Sequence, residues 1–571
     1  MTGLQGVQVT GYLLGGGAFI ERVEGAGIDV EISIRCFEET PGRADVLDDK
    51  LPDGEQQLPV VFRKHVLQRA VRQVDGKQVK RTGHMEEFYA HKDKGNLASL
   101  KNSGFLCSSN DPTMKLPDAF LEKTRDLLGK EAEDLFAALD EPSPVSIRFN
   151  PMKPTASGSA IPVPWSSMGV YLPERPAFTF DPLLHAGCYY VQEASSMFVE
   201  QALIRVAELV GEQPLNILDL CAAPGGKSTL LASCMPAGSL LVANELNRLR
   251  ANILAENLIK WGLPNVVTTQ SDATAFSRMT EFFDVVLTDV PCSGEGMFRK
   301  DPESIGEWSV DNVKLCASRQ RDIVGNIWPT LKHGGFLIYS TCTYNVTENE
   351  ENVRWICEEL GGKVVEIPVK ESWGVSPGLL ENVNRFFPHR TKGEGFFLAL
   401  IQKEGEHVGG TEHARGTRAK GSAGKKEPMI ALEYKRLLEN DADFEFFTDR
   451  QGRICAFPFS QLASLRRLEE NLRVVHAGIV LGEVKGRDLL PDISLALSVA
   501  LNRDAVKSFD LDRKQAIDYL RREAFALPAD CPLGWVLMCF EGQPLGWMKN
   551  IGNRANNGYP NEWRIRSENP F

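Results

Sequence analysis

The chain has 571 residues, 43% hydrophobic and 25% charged, with a net charge of −12. That size allows several domains of about 100–200 residues, and the composition excludes a wholly disordered chain and a surface that is basic throughout, though not a local basic stripe for phosphates. No apolar run reaches the roughly 18–20 residues of a membrane span, and no signal peptide is expected; twelve cysteines without a Cys-x-x-Cys pair argue against a zinc or disulfide framework, so reduced thiols, a cytoplasmic location and no metal are expected.

Residues 1–113 carry clustered glycines ("GYLLGGGAF") and mixed charge without a sustained period. One amphipathic helix is expected over "VFRKHVLQRAVRQV", and the region has no readable role. From Met114 the texture changes. "MKLPDAFLEKTRDLLGKEAEDLFAALDEP" has helical spacing stopped by Pro142, and "SPVSIRFNPMKP" reads as a strand bounded by prolines.

From about Ser196 apolar strands alternate with amphipathic helices. The strands are "LNILDL", "SLLVANE", "NVVTTQ", "FFDVVLT" and "GGFLIYS"; "STLLASCM" and "RLRANILAENLIKWG" are helices, the second ended by Gly262. Near-continuous apolar strands between helices predict a doubly wound parallel α/β sheet, with ligands at the carboxyl ends of its strands. "KEGEHVGGTEHARGTRAKGSAGKKEP" reads as a polar linker. Beyond it, "EYKRLLEN" and "SLRRLEENLRVV" suggest helices, and the last stretch suggests short strands with turns at Gly542 and Asn557-Gly558.

Candidate ligand residues follow from the strand ends. In "LDLCAAPGGKST", Gly225 and Gly226 permit a tight turn and close approach of a ligand to the backbone. Lys227, Ser228 and Thr229 then open a helix whose free N–H groups favour a polar or anionic group. Glu245, Asp272 and Asp289 end the next three strands. Glu245 has the place of a ribose-binding carboxylate. The turn lacks G-x-G-x-x-G, which weakens a nicotinamide reading; an S-adenosylmethionine pocket fits better. A dehydrogenase stays as the lesser alternative.

Two cysteines stand at strand ends, Cys292 in "DVPCSGEGMFRKDP" and Cys342 in "TCTYNVTENEEN". Each alone reads as a small core thiol, and Cys221, Cys234, Cys316 and Cys357 are left as such. Cys292 and Cys342 differ because their surroundings are polar and turn-rich at the rim of the expected crevice. Methyl transfer to cytosine C5 needs a thiolate that adds to C6, since C5 is otherwise not nucleophilic.

"LDLCAAPGGKST", "TDVPCSGEGMFRKDP" and "IYSTCTYNVTENEENV" resemble, in order and spacing, three motifs of the Sun-type RNA cytosine-5 methyltransferases. "YYVQEASSM", "FFPHRTKGEGFFLALIQK" and the C-terminal "PLGWMKNIGNRANNGYP" extend the resemblance over 114–571, closest to the bacterial small-subunit ribosomal RNA methyltransferase F group. The resemblance implies a Rossmann-like methyltransferase domain at 196–403. An N-terminal α+β RNA-binding region (114–195) precedes it. A linker (404–430) and a C-terminal RNA-binding region (431–571) ending in a PUA-like, β-rich module follow. Residues 1–113 are then an extension or a wrongly assigned start.

It further implies Cys342 as the nucleophile on C6, Cys292 in product release, and Asp289 on the cytosine near the sulfonium. S-adenosylmethionine would be held by Cys221, Ala222, Ala223, Pro224, Gly225, Gly226 and Lys227, with Glu245 on the ribose, Asp272 on the adenine, and Asp289. The implied partner is RNA, ribosomal first and transfer RNA as the alternative; no protein or membrane partner is called for. A non-catalytic RNA-binding or assembly factor would be expected to lack Cys342 or the glycine turn, and both are present. Expected RNA contacts are Arg299 and Lys300, Arg385, His389 and Arg390, and the C-terminal Lys549, Arg554, Arg564 and Arg566 among Trp547, Tyr559 and Trp563. Core packing is the competing reading for those aromatics.

Overall fold

A computed structural model describes residues 115–155, 160–405, 432–486 and 488–567, with short strands within the first 36 residues. Residues 1–108 and 109–571 form separate units. In the first, strands pair as Gln8–Val9 with Val23–Glu24 and as Tyr12–Leu14, Ala18–Glu21 and Ser33–Cys36. The helix expected over "VFRKHVLQRAVRQV", and the linker beyond Gly405, lie outside the described residues.

The second unit is built on one sheet of ten strands. Five of them run parallel: β1 (Asn216–Asp219), β2 (Leu240–Asn244), β3 (Val266–Thr269), β4 (Phe283–Asp289) and β5 (Leu331–Thr341). Their order is β3-β2-β1-β4-β5, and β6 (Phe396–Lys403) pairs antiparallel with β5. The order reverses between β1 and β4, where crevices for ligands open in doubly wound sheets.

The strands are apolar on both faces because both are covered. Ile217, Leu241 and Leu287 pack on one side with Leu230 and Leu231 of α1 (Gly226–Cys234). Leu218, Val242 and Val286 pack on the other with Val324 and Ile327 of α3 (Val310–Ile327). Between them in sequence, α2 (Arg248–Trp261) is capped by Asn247, whose side chain accepts from Leu249 N and Arg250 N, and stops at Gly262.

The sheet does not end at the linker. After a helix over Leu462–Asn471, β7 (Val474–Ala477) pairs antiparallel with β3, placing Val267 opposite Ala477. Phe457, Leu465, Leu468 and Leu472 complete the core on the Leu218 face. The strand Val474–Ala477 of the C-terminal region expected at 431–571 thus belongs to the main sheet. A four-residue, half-buried edge strand has no alternation to betray it. "EYKRLLEN" yields only the short helix Leu432–Lys435.

The segment before the sheet is α+β, with helices Asp118–Leu128 and Ala132–Leu139 and a four-stranded sheet that includes Val145–Phe149. The C-terminal part holds two further four-stranded sheets. Ile147 and Tyr189 of the early segment share a core with Tyr519, Met538 and Tyr559 of the late one. No helix among the described residues is long and apolar enough to cross a membrane.

Candidate active site

β1 ends at Asp219, and the chain turns through Cys221–Gly225 into α1. Gly225 has φ +116, and a Cβ there would come 3.3 Å from Leu254; at Gly226 it would come 3.3 Å from Tyr190. Both positions therefore favour glycine. The turn is held from α2: Arg250 Nη2 donates to Ala223 O at 2.8 Å and Asn257 Nδ2 to Pro224 O at 2.7 Å. No side chain caps the start of α1, which leaves its N–H groups for a ligand. Ala222 and Ala223 are buried, while Pro224 is exposed. Burial pushes the half-exposed Cys221 thiol upward, away from thiolate chemistry.

Glu245 follows β2 and is buried; its Oε1 accepts from Asn247 N at 2.9 Å, and Oε2 is 3.5 Å from Arg250 Nη1. Asp289, ending β4, accepts from Lys227 Nζ at 2.8 Å and from Ser340 Oγ at 2.9 Å. Lys227 also lies over the Phe396 ring. Burial works against the Lys227 charge, but Asp289 outweighs it and holds the ammonium above the ordinary lysine value, with Cys342 contributing. Asp272 is exposed and caps its own turn through Thr274 N and Thr274 Oγ1, contacts that lower its carboxyl. The charges of Lys227, Asp289 and Glu245 all bear on the buried Asp219.

The two cysteines meet. β4 and β5 pair in parallel with Asp289 opposite Ser340, so the loops after them leave the same sheet edge side by side. Cys292 Sγ and Cys342 Sγ are 3.1 Å apart, and Gly296 N donates to Cys342 O at 2.9 Å. The contact with Cys342, reinforced by burial, holds the Cys292 thiol well above its usual value.

Several expected RNA contacts are committed inside the protein. Arg299 is buried against Glu394 at 2.8 Å and donates to Ala138 O and Gly393 O. Arg385 is buried on Glu350 and Tyr344 O. His389 and Arg390 both engage Glu131. A charge beside an active loop reads alike whether it faces solvent or a buried carboxylate. Trp547 and Tyr559 are core, as the competing reading had it, and Trp563 is half-buried beneath Lys260. Lys300, Arg554, Arg564 and Arg566 are exposed; Lys549 is half-buried over Trp535.

Sequence reasoning passed over Asp219. It is fully buried, accepts from Ser228 Oγ at 2.6 Å through Oδ2, and has no hydrogen-bond partner at Oδ1. Burial raises its carboxyl to about 7, against the pull of Ser228 and Lys227. Its place at the end of the first strand was the available sign. Glu295 and Glu348 were also missed as site residues, because nothing in their spacing shows that each crosses to the other cysteine's loop.

Comparison with known proteins shows the family. The family model of the 16S rRNA methyltransferase RsmB/F matches residues 207–402, that of the N-terminal domain of 16S rRNA methyltransferase RsmF matches 116–194, and that of the methyltransferase RsmF PUA domain matches 506–565. The ribosomal RNA small subunit methyltransferase F of Escherichia coli O1:K1 / APEC is 30% identical over 482 residues, 79% of this chain and 97% of the relative. That of Serratia proteamaculans (strain 568) is 31% identical over 485 residues, covering 78% and 96%. A crystal structure of a methyltransferase homolog protein from Pyrococcus horikoshii is similar at 27% identity and TM-score 0.44, over 51% of this chain and 96% of that one. With a Rossmann-like sheet, an α+β segment before it and a PUA module at its end, this chain is a methyltransferase and belongs to the ribosomal RNA small subunit methyltransferase F family.

Proposed function

We propose that the chain methylates C5 of a cytosine in small-subunit ribosomal RNA, with S-adenosylmethionine as donor and Cys342 as covalent nucleophile. The substrate class follows the names of its relatives. The chemistry rests on one observation: two thiols 3.1 Å apart at the ends of adjacent parallel strands.

The residues suit the donor. The φ of +116 at Gly225 gives a turn that brings backbone close to a ligand, the uncapped start of α1 suits a carboxylate, and buried Glu245 suits ribose hydroxyls. Asp272 is assigned the adenine edge, and the backbone of Cys221–Lys227 the methionine tail. When bound, S-adenosylmethionine supplies an electrophilic methyl group.

Cys342 Sγ adds to C6 of the cytosine, which makes C5 nucleophilic. Asp289, oriented by Lys227 and Ser340, hydrogen-bonds the pyrimidine. After transfer a base takes the C5 proton, the C5–H electron pair re-forms the C5–C6 double bond, and the C6–sulfur bond breaks with its pair on Cys342 as thiolate; Cys292 assists this release. The target base must be unpaired or flipped out for attack from above its plane. Lys300, Arg554, Arg564 and Arg566 are the exposed cations assigned to phosphates. A cytoplasmic location accords with ribosomal RNA as substrate.

Two substitutions test the roles. Cys342→Ala should abolish methylation while S-adenosylmethionine affinity stays within about threefold. Cys292→Ala should accumulate a denaturation-resistant protein–RNA adduct that maps to Cys342. Methylation surviving in the first variant, or an adduct on Cys292 in the parent, would reject the assignment. Bisulfite sequencing of total RNA with and without the protein separates ribosomal from transfer RNA.

A further inference from the structure

The loops that carry the two cysteines are joined by two carboxylates, each rooted in one loop and bonded to the other. Glu295, on the Cys292 loop, is buried and reaches to the Cys342 loop. Its Oε2 accepts from Thr343 Oγ1 at 2.6 Å, Tyr344 N at 2.7 Å and Asn345 N at 2.8 Å. Its Oε1 accepts from Trp308 Nε1 at 2.9 Å and Asn345 Nδ2 at 3.1 Å. Glu348, on the Cys342 loop, reaches back: Oε2 accepts from Ser293 N at 3.0 Å and Gln320 Nε2 at 2.7 Å. Its Oε1 accepts from Asn345 Nδ2 at 2.8 Å.

We infer that Glu295 is a positioning residue for the reaction, with Glu348 as its reciprocal arm, and that this clamp sets the approach of the Cys342 sulfur to Cys292. The inference rests on the proposed reading of Cys342 as nucleophile. Glu295 is poorly placed to be a base, because both its oxygens are occupied by donors from the protein. Its bonds go instead to the backbone N–H groups of the second and third residues after Cys342. Those bonds fix where the nucleophile's loop runs. Buried acceptors that take several N–H bonds fix a geometry more strongly than a single contact. An amide in its place would turn hydrogens toward donors and leave buried groups unpaired.

The test uses the full chain and needs one readout that does not depend on methylation. Diamide, an azo oxidant, takes up two hydrogens at its N=N bond while two thiols join as a disulfide. The rate at which it closes Cys292–Cys342, followed by non-reducing peptide mapping, reports how well the sulfurs are held together. Glu295→Gln should slow closure by about tenfold or more and lower kcat by a similar factor, with KM for RNA and for S-adenosylmethionine within about threefold. A general loss of stability would lower the melting temperature and leave closure unchanged below it.

Closure within about twofold of the parent overturns the geometric claim, and slowed closure with unchanged kcat overturns the link to catalysis. If circular dichroism shows Glu295→Gln unfolded, Glu348→Gln takes its place in the same assays with the same expectations and the same refuting results. Should Cys342 prove not to be the nucleophile, the closure assay still reads the clamp, so the two failures are distinct.

Discussion

Lys227 Nζ stands 2.8 Å from Asp289 Oδ2, a bridge from the first turn of α1 to the end of β4 across the point where the strand order reverses. Lys227→Met would keep the packing on Phe396 and remove the charge, leaving Asp289 with Ser340 alone. A hydrogen bond to a charged group contributes about 1.5–3 kcal/mol, or roughly ten- to a hundredfold in a binding constant. Both side chains are partly exposed, so the lower end applies. The expected outcome is a rise of about tenfold in the S-adenosylmethionine Kd by isothermal titration. An unchanged Kd would mean that the bridge does not order the pocket.

Truncation at the linker should fail. Removing residues 431–571 strips β7 from the edge of β3 and takes Phe457, Leu465, Leu468 and Leu472 out of the main core. Burying one such side chain contributes about 1.5–3 kcal/mol, so the loss is comparable with the whole stability of a domain, about 5–15 kcal/mol. The loop that leads to Asp272 would also lose its tie, Gln270 N to Arg473 O at 2.9 Å. The shortened chain should show no cooperative thermal melt. A cooperative melt with intact cofactor binding would show instead that the C-terminal part is separable.

Stability should fall in mild acid through His185. Its ring is buried, Nε2 lies 2.9 Å from Thr179 O, and Nδ1 has no hydrogen-bond partner. Burial first and the nearby Lys260 charge second lower its pKa to about 3, against the Thr179 bond. The folded pKa lies below the unfolded value of about 6.5, so in between only the unfolded chain takes up the proton. This group's contribution is complete above pH ~6.5 and is lost at about 1.4 kcal/mol per pH unit as the pH falls toward 3. Denaturant unfolding of the parent and of His185→Gln at several pH values should give a shallower slope for the variant. Parallel slopes would refute the assignment.

The residues show which features were legible before folding. Near-continuous apolar runs such as "FFDVVLT" announce strands covered on both faces, and "APGG" announces a tight turn into a helix, because burial and backbone sterics act on neighbours in sequence. Arg299 and Arg385 were read as surface cations for RNA, yet each is buried on a carboxylate from a distant segment. Trp547 and Tyr559 are core, which residue type alone left level with RNA contact.

The sequence by itself determined the doubly wound sheet, the polar ends of its strands and the identity of the two thiols, since each depends on local periodicity or on residue type. Only the tertiary structure decided that the thiols lie 3.1 Å apart, that Glu295 and Glu348 cross between their loops, and that a strand beyond the linker closes the sheet. These relations join residues some fifty to two hundred positions apart. Such contacts are set by how elements pack, and the spacing of residues along the chain does not encode them.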